Sequence, residues 1–176
     1  MNFYIQASNP KGTMKNYDEN NTCLSEAIED VFGLNTESAF ICWNHIYVPV
    51  SYKYDISYMM DDIIRIITNI QEKEQGKLTI CWLPDTFRSD WTIEWQGDEM
   101  TIVSQWGSTV GNLEGLLNNN NCIKLPTTQF LSEWKKVFEI IIDVLHQNGY
   151  SEKKLADMKD LIDVYKKIDD VGLLYK

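Results

Sequence analysis

The chain has 176 residues, of which 44% are apolar and 24% charged, and 26 Asp and Glu against 16 Lys and Arg give a formal net charge of −10. This composition excludes an intrinsically disordered chain, and the length predicts a single domain over residues 1–176. A strongly acidic surface repels phosphate backbones and anionic lipid, so we expect no direct binding to nucleic acid and no membrane association.

The cysteines and the first residues of the chain indicate its compartment. Cys23, Cys42, Cys81 and Cys122 lie far apart and form no C-x-x-C pair. The opening segment has no long apolar run, so we expect neither a signal peptide nor a membrane span. We therefore predict a cytoplasmic protein with reduced, mostly buried cysteines. We predict no metal site, because zinc ligands would have to converge from distant segments.

The first elements follow from short patterns. "NFYIQA" predicts a strand, and the polar residues after it predict a loop. "TCLSEAIEDVFG" predicts a short helix that Thr22 caps and Gly33 ends. "SAFICWNHIYVPVSYKYD" is rich in β-branched and aromatic residues, which indicates one or two strands. A break at Asn44-His45 would make two, and Pro49 indicates an edge or a bulge.

A longer helix follows in "SYMMDDIIRIITNIQEKEQG", where apolar residues recur at the helical period. Ser57 is the predicted cap, and Gly76 is predicted to stop the helix. Asp61 and Asp62 would then lie in its first turn, where negative charge is stabilising. "KLTICWL" next predicts a strand.

The segment "DWTIEWQGDEMTIVSQW" has two alternating runs on either side of Gly-Asp, which predicts a β-hairpin. Its apolar face consists of Trp91, Ile93, Trp95, Met100, Ile102 and Trp106. A continuous apolar face on a strand pair is usually buried, so we predict that these tryptophans belong to the core. The alternative is an exposed aromatic surface that grips a partner.

The C-terminal third predicts a loop over "GSTVGNLEG" and "NNNN", a short strand "CIKLP", and two helices. These helices, "TTQFLSEWKKVFEIIIDVLHQNG" and "SEKKLADMKDLIDVYKKIDDVG", are separated by little more than Gly149-Tyr150, which favours an antiparallel helical hairpin. The inward residues should be Trp134, Val137, Ile141, Met158, Ile162 and Tyr165. The predicted fold is α+β: a mainly antiparallel sheet with a central β-hairpin, backed by helices and ending in that helical hairpin.

No catalytic or cofactor motif is present, so we predict no cofactor and do not expect an enzyme. The chain has two histidines, His45 and His146, and neither has a recognisable nucleophile beside it. "GSTVGNLEG" lacks the lysine of a phosphate-binding loop. An enzyme that uses scattered Asp or Glu residues remains an alternative.

The acidic charge is uneven along the chain. Residues 1–75 carry 11 acidic and 5 basic side chains, whereas residues 127–176 carry 9 and 8. We predict a docking surface for a basic protein in the N-terminal part, because complementary charge speeds encounter. The predicted binding residues are Asp18, Glu19, Glu26, Glu29, Asp30 and Glu37, with aromatic anchors at Trp43 and Tyr47, and with Tyr17, Tyr52 and Tyr54 as further aromatic candidates.

The order of "DWTIEWQGDEMTIVSQW", a loop and "CIKLPTTQFLSEWKKVFEIIIDVLHQNGY", over roughly residues 77–150, resembles the immunity proteins of bacterial polymorphic-toxin and contact-dependent growth inhibition systems. The resemblance implies a stoichiometric inhibitor that binds a cognate toxin domain, commonly a nuclease, and blocks its active site. The oligomeric state stays open, and a non-toxin adaptor protein is a further alternative.

Overall fold

The computed structural model describes residues 2–11, 16–34 and 36–174, with side chains as far as residue 168. In these residues seven strands form two antiparallel sheets, accompanied by five α-helices. The strands are β1 (Phe3–Gln6), β2 (Ala39–Trp43), β3 (Ile46–Val50), β4 (Gln75–Trp82), β5 (Phe87–Gln96), β6 (Glu99–Thr109) and β7 (Cys122–Pro126). The helices are α1 (Leu24–Val31), α2 (Ser57–Glu72), α3 (Glu114–Asn119), α4 (Thr127–Gln147) and α5 (Asp157–Leu174). The predicted α+β class is confirmed.

The three-stranded sheet has the order β1-β2-β3. Asn44 and His45 form the two-residue turn between β2 and β3, with φ values of 46° and 67°. Two successive positive φ values are the mark of a type I′ turn, whose twist matches that of the strands it joins. The predicted break at Asn44-His45 is therefore confirmed, and Pro49 lies on the edge strand β3, as predicted.

The four-stranded sheet has the order β4-β5-β6-β7, with the predicted hairpin at its centre. Gly97 and Asp98 make its turn, and Gly97 takes a φ of 57°. Trp91, Trp95 and Trp106 are 0%, 4% and 3% exposed, so the core interpretation of these tryptophans is confirmed.

Aromatic rings join the two sheets. Trp43 of β2 lies with its ring centroid 4.9 Å from that of Trp91 and 5.3 Å from that of Trp106. On β4, Trp82 makes a T-shaped contact with Trp91 at 4.1 Å. Edge-to-face pairs of this kind add to the free energy gained by burial alone, and they fix the sheets against each other.

The start and end of α2 differ from the prediction. A π-helical turn, Tyr52–Ile56, precedes α2, and Ser51 caps it by accepting a hydrogen bond from the Tyr54 N–H. Ser57 is not a cap, because its hydroxyl donates to the Lys53 carbonyl. Asp61 and Asp62 consequently lie beyond the first turn. The helix ends at Glu72, and Gly76 is already part of β4.

Three further boundaries are corrected. Helix α1 begins at Leu24, after Cys23, so Thr22 is not its N-cap residue. Helix α3 occupies part of the predicted loop, where Glu114 accepts hydrogen bonds from the N–H and hydroxyl of Thr109. Helix α5 begins at Asp157, and residues 148–156 link it to α4. The predicted pairing of these two helices is confirmed, and Tyr165 is half-buried.

The burial of the cysteines differs from the prediction. All four are free thiols, and Cys42 is buried while Cys23 is half-buried. Cys81 and Cys122 are exposed because they occupy outward-facing positions of β4 and β7. The prediction that the cysteines are mostly buried is wrong for these two.

Candidate functional site

Five of the six predicted acidic residues lie together on the surface. We call Asp18, Glu19, Glu26, Glu29 and Asp30 the acidic patch. They line two adjoining open depressions of about 550 and 270 Å³, which share Asn20 and Asp30. The first two belong to the segment before α1 and the other three to α1 itself. The patch is thus formed by one helix and the loop folded beside it.

The loop that carries Asp18 and Glu19 is held in place by the link between α4 and α5. The Tyr150 hydroxyl accepts hydrogen bonds from the Asp18 N–H and from the Asn21 side chain. The rings of Tyr17 and Tyr150 meet edge to face at 5.0 Å. The Asp18 carboxylate in turn accepts from the Asn20 N–H at 2.9 Å. These contacts fix the loop without using the Glu19 side chain.

Glu26 has a structural task at the start of α1. Its carboxylate accepts hydrogen bonds from the N–H groups of Thr22 and Cys23, at 2.7 and 3.3 Å, and from the Thr22 hydroxyl. These bonds, led by that of the Thr22 N–H, lower the pKa of Glu26. A carboxylate that satisfies N–H groups at the start of a helix stabilises that helix. Glu26 therefore contributes negative charge to the patch and also anchors its helix.

Lys53 is a basic residue beside the acidic patch. Lys53, on the π-helical turn, lines the smaller depression, and its ammonium group donates to the Glu29 carbonyl at 2.6 Å. That carbonyl belongs to the last turn of α1, where the helix dipole favours a cation. The contact shows that this surface accommodates an ammonium group. The patch keeps an excess of negative charge around it.

Further carboxylates approach the other end of α1. Asp157 of α5 accepts from the Leu24 N–H at 3.4 Å. Asp61 on α2 is an exposed residue whose pKa is raised, first by partial desolvation and then by the negative charges of Asp157 and Asp62. Asp157 of α5 thus lies at the start of α1, and Asp61 of α2 is near enough to Asp157 for the two charges to interact.

The remaining predicted residues lie elsewhere. Glu37 is exposed and accepts from the Asn9 N–H, away from the two depressions. Trp43 and Tyr52 are fully buried, so both are withdrawn as anchors: each fills the core instead of reaching solvent. Tyr47 is 52% exposed on β3, where its hydroxyl accepts from that of Tyr4 at 2.6 Å, but it is not part of the acidic patch.

The acidic patch is an open surface and not an enclosed cavity. The depressions are open, and their carboxylates are spread along a helix and a loop. Within the described residues, no group of three or more His, Cys, Asp or Glu side chains is arranged to hold a metal ion. None of the helices in the same part of the chain has both the length and the apolar character that a membrane crossing requires.

No protein-family model, curated protein or solved structure matches this chain.

Proposed function

We propose that this protein is a stoichiometric inhibitor that binds a basic protein, as an immunity protein binds and neutralises its cognate toxin domain. The observation that carries the proposal is the acidic patch: five carboxylates share one open surface, on which Lys53 is the basic residue among the described lining residues. The excess negative charge of the whole chain adds to the field of the patch.

The physical chemistry of such a pair is complementary. A nuclease toxin binds phosphate backbones and so presents a positive cleft. An inhibitor that places carboxylates opposite that cleft accelerates encounter and competes with the nucleic acid. Open depressions suit this task, because the partner's Lys and Arg side chains enter them from solvent.

The first experiment is co-expression with the C-terminal domain of the protein encoded directly upstream, followed by co-purification and a growth assay. An immunity protein forms a one-to-one complex and restores growth. Binding without any effect on the partner's activity would support the adaptor alternative. Absence of a complex would contradict the proposal.

The second experiment tests the acidic patch. Glu19→Gln, Glu29→Gln and Asp30→Asn together remove three negative charges and retain the shapes of the side chains. Glu26 is left intact because it anchors α1. We expect association to slow by about tenfold or more at low ionic strength, with a weaker dependence of the rate on salt, because exposed charges act over a Debye length of about 8–10 Å.

The matched control removes three charges from the C-terminal helices and the link between them. Glu139→Gln, Glu152→Gln and Asp160→Asn change exposed residues in a region of balanced charge and shift the net charge of the protein by the same amount. Circular dichroism should show both triple variants folded. If the two variants slow association equally, the slower rate is caused by the change in net charge, and the acidic patch is not the docking surface.

A further inference from the structure

The four outer edges of the two sheets, as formed by the described residues, are not equally protected. An unpaired edge strand exposes main-chain N–H and C=O groups that pair readily with another chain, and natural proteins usually cover or interrupt such edges. Here β1 and β3 are the edges of the three-stranded sheet, and β4 and β7 are those of the four-stranded sheet.

Three of these edges are closed or interrupted. On β1, the Ile5 N–H donates to Glu133 of α4 and the Phe3 carbonyl accepts from Gln129. On β3, the register of the hairpin places Pro49 at a position whose main-chain groups point away from β2, to the open side. Proline has no N–H group to donate there, so it interrupts this edge. On β7, Asn44 donates to the Cys122 carbonyl at 2.9 Å, and the strand ends in proline.

Strand β4 is eight residues long and contains no proline. The residues that flank the two-residue turn, Gln96 and Glu99, form a hydrogen-bonded pair, and such pairs alternate along the hairpin. Trp95, Ile93 and Trp91 therefore bond to β4, through Gly76, Leu78 and Ile80. The N–H and C=O groups of Lys77, Thr79 and Cys81 point away from the sheet.

These outward groups are accessible. Lys77, Thr79 and Cys81 are all exposed, and no hydrogen bond from within residues 2–11, 16–34 and 36–174 reaches their main chain. Helix α2 contacts β4, yet Lys77, Thr79 and Cys81 stay exposed.

Apolar side chains continue the edge beyond Cys81. Asp62 lies close to Cys81, since its charge contributes, after the hydrogen bond and charge of Asp90, to the raised pKa of that thiol. Further along, Asp55 accepts from the Thr86 hydroxyl. Leu83 directly follows β4 and is 73% exposed, and Tyr58 in the first turn of α2 is 61% exposed. Leu83 thus places an exposed apolar side chain just beyond the end of the open edge.

We infer that the free edge of β4 is a second contact for the basic partner, which adds an extended strand there through main-chain hydrogen bonds. This inference rests on the proposed function. The occupant should be a cationic segment, because Asp62, Asp90 and Glu94 lie beside the edge. They outnumber the two basic residues there, since Arg65 and Lys77 neutralise only Asp62 and Glu94. A second copy of this chain is a poor occupant, because each copy carries a net charge of −10.

The test is Thr79→Pro, measured with the upstream-encoded domain as the probe. Proline at this position removes an outward N–H and leaves the β4–β5 hydrogen bonds intact. We expect the dissociation constant to rise about tenfold or more, because at least one main-chain hydrogen bond is lost and the partner strand is displaced. The dependence of association on salt should stay as in the wild type, unlike that of the acidic-patch variant. The matched control is Lys124→Pro, an outward position on β7, which should leave the affinity within about twofold of that of wild type.

Hydrogen exchange provides a measurement that does not depend on a variant. In the complex, the amide protons of Lys77, Thr79 and Cys81 should exchange at least about tenfold more slowly than in the free protein. The edge contact is wrong if these amides stay unprotected in the complex, or if the Thr79→Pro variant binds the partner with wild-type affinity. Either result leaves the proposed function unaffected. Absence of any complex overturns both. Sedimentation of the protein alone tests the other occupant. If the wild type is a dimer and Thr79→Pro is a monomer, the edge binds a second copy of this chain and the stated occupant is wrong.

Discussion

At the scale of single residues, Trp95 shows how much of the hairpin's stability depends on one side chain. Its ring is 4% exposed, and its indole N–H donates to the Lys73 carbonyl at 2.9 Å. We expect Trp95→Ala to lower the free energy of unfolding by about 3–5 kcal/mol, since it removes buried apolar surface and leaves a cavity. Urea unfolding measures the change. Val103→Ala, on the solvent-facing side of the same hairpin, should cost less than about 1 kcal/mol; equal losses would contradict the core assignment.

The close packing of Gly76 against the Trp95 ring leads to a second prediction for single residues. A β-carbon on Gly76 would lie 2.3 Å from Cζ2 of the Trp95 ring, closer than carbon atoms approach without displacement. Gly76→Ala should therefore destabilise the protein by about 1–3 kcal/mol, as overpacking does. Gly115→Ala is the control: nothing lies within 4 Å of the position that a β-carbon would take there, and alanine should be neutral or stabilising by up to about 1 kcal/mol in that helix. Thermal denaturation of both variants distinguishes the two environments.

At the scale of elements, α4 closes the edge of β1. The Glu133 carboxylate is largely buried, accepts from the Ile5 N–H at 2.6 Å and pairs with Lys136. Glu133→Ala should lower the free energy of unfolding by about 1–3 kcal/mol, because a buried N–H loses its acceptor. Glu133→Gln retains an acceptor oxygen and should cost less. Lys136→Ala should have an effect below about 1 kcal/mol, since the lysine is partly exposed. Chemical denaturation measures these changes. If Lys136→Ala lowered the free energy of unfolding more than Glu133→Ala does, the stabilisation would come from the ion pair instead.

At the scale of the whole molecule, the negative charges of Asp61, Asp62 and Asp157 repel one another in the folded protein. Partial desolvation and the charges of Asp157 and Asp62 raise the pKa of Asp61, so the folded protein holds this proton more tightly than the unfolded chain does. Ionisation of Asp61 at neutral pH consequently costs stability. Asp61→Asn should raise the melting temperature at pH 7.

The difference in melting temperature should shrink as the pH falls through the raised pKa of Asp61 in the folded protein. It should vanish below the ordinary unfolded value of about 3.9, where the wild-type side chain is also neutral. Paired thermal melts across this range measure the effect. A variant that is less stable than the wild type at pH 7 would show that Asp61 has a favourable partner that outweighs the repulsion.

The sequence by itself determined those structural elements that depend only on residues close together in the chain. Alternation identified the hairpin and its buried tryptophans, the helical period identified α2, α4 and α5, and Asn44-His45 marked a turn. Each of these signals operates within a few residues, because the two faces of a strand or helix are distinguished by spacing alone. The run of acidic residues along α1 and the loop before it was visible for the same reason.

Only the tertiary structure decided what those residues do. It buried Trp43, placed Gly76 under Trp95 and assigned Glu26 to the start of α1. It also brought Tyr150 to the loop of Asn21, 129 residues away, and Glu133 to Ile5, 128 residues away. Contacts between distant segments arise from packing the whole core, and no local period in the sequence encodes them. For that reason the closed edge of β1, the open edge of β4 and the extent of the acidic surface became visible only in the folded chain.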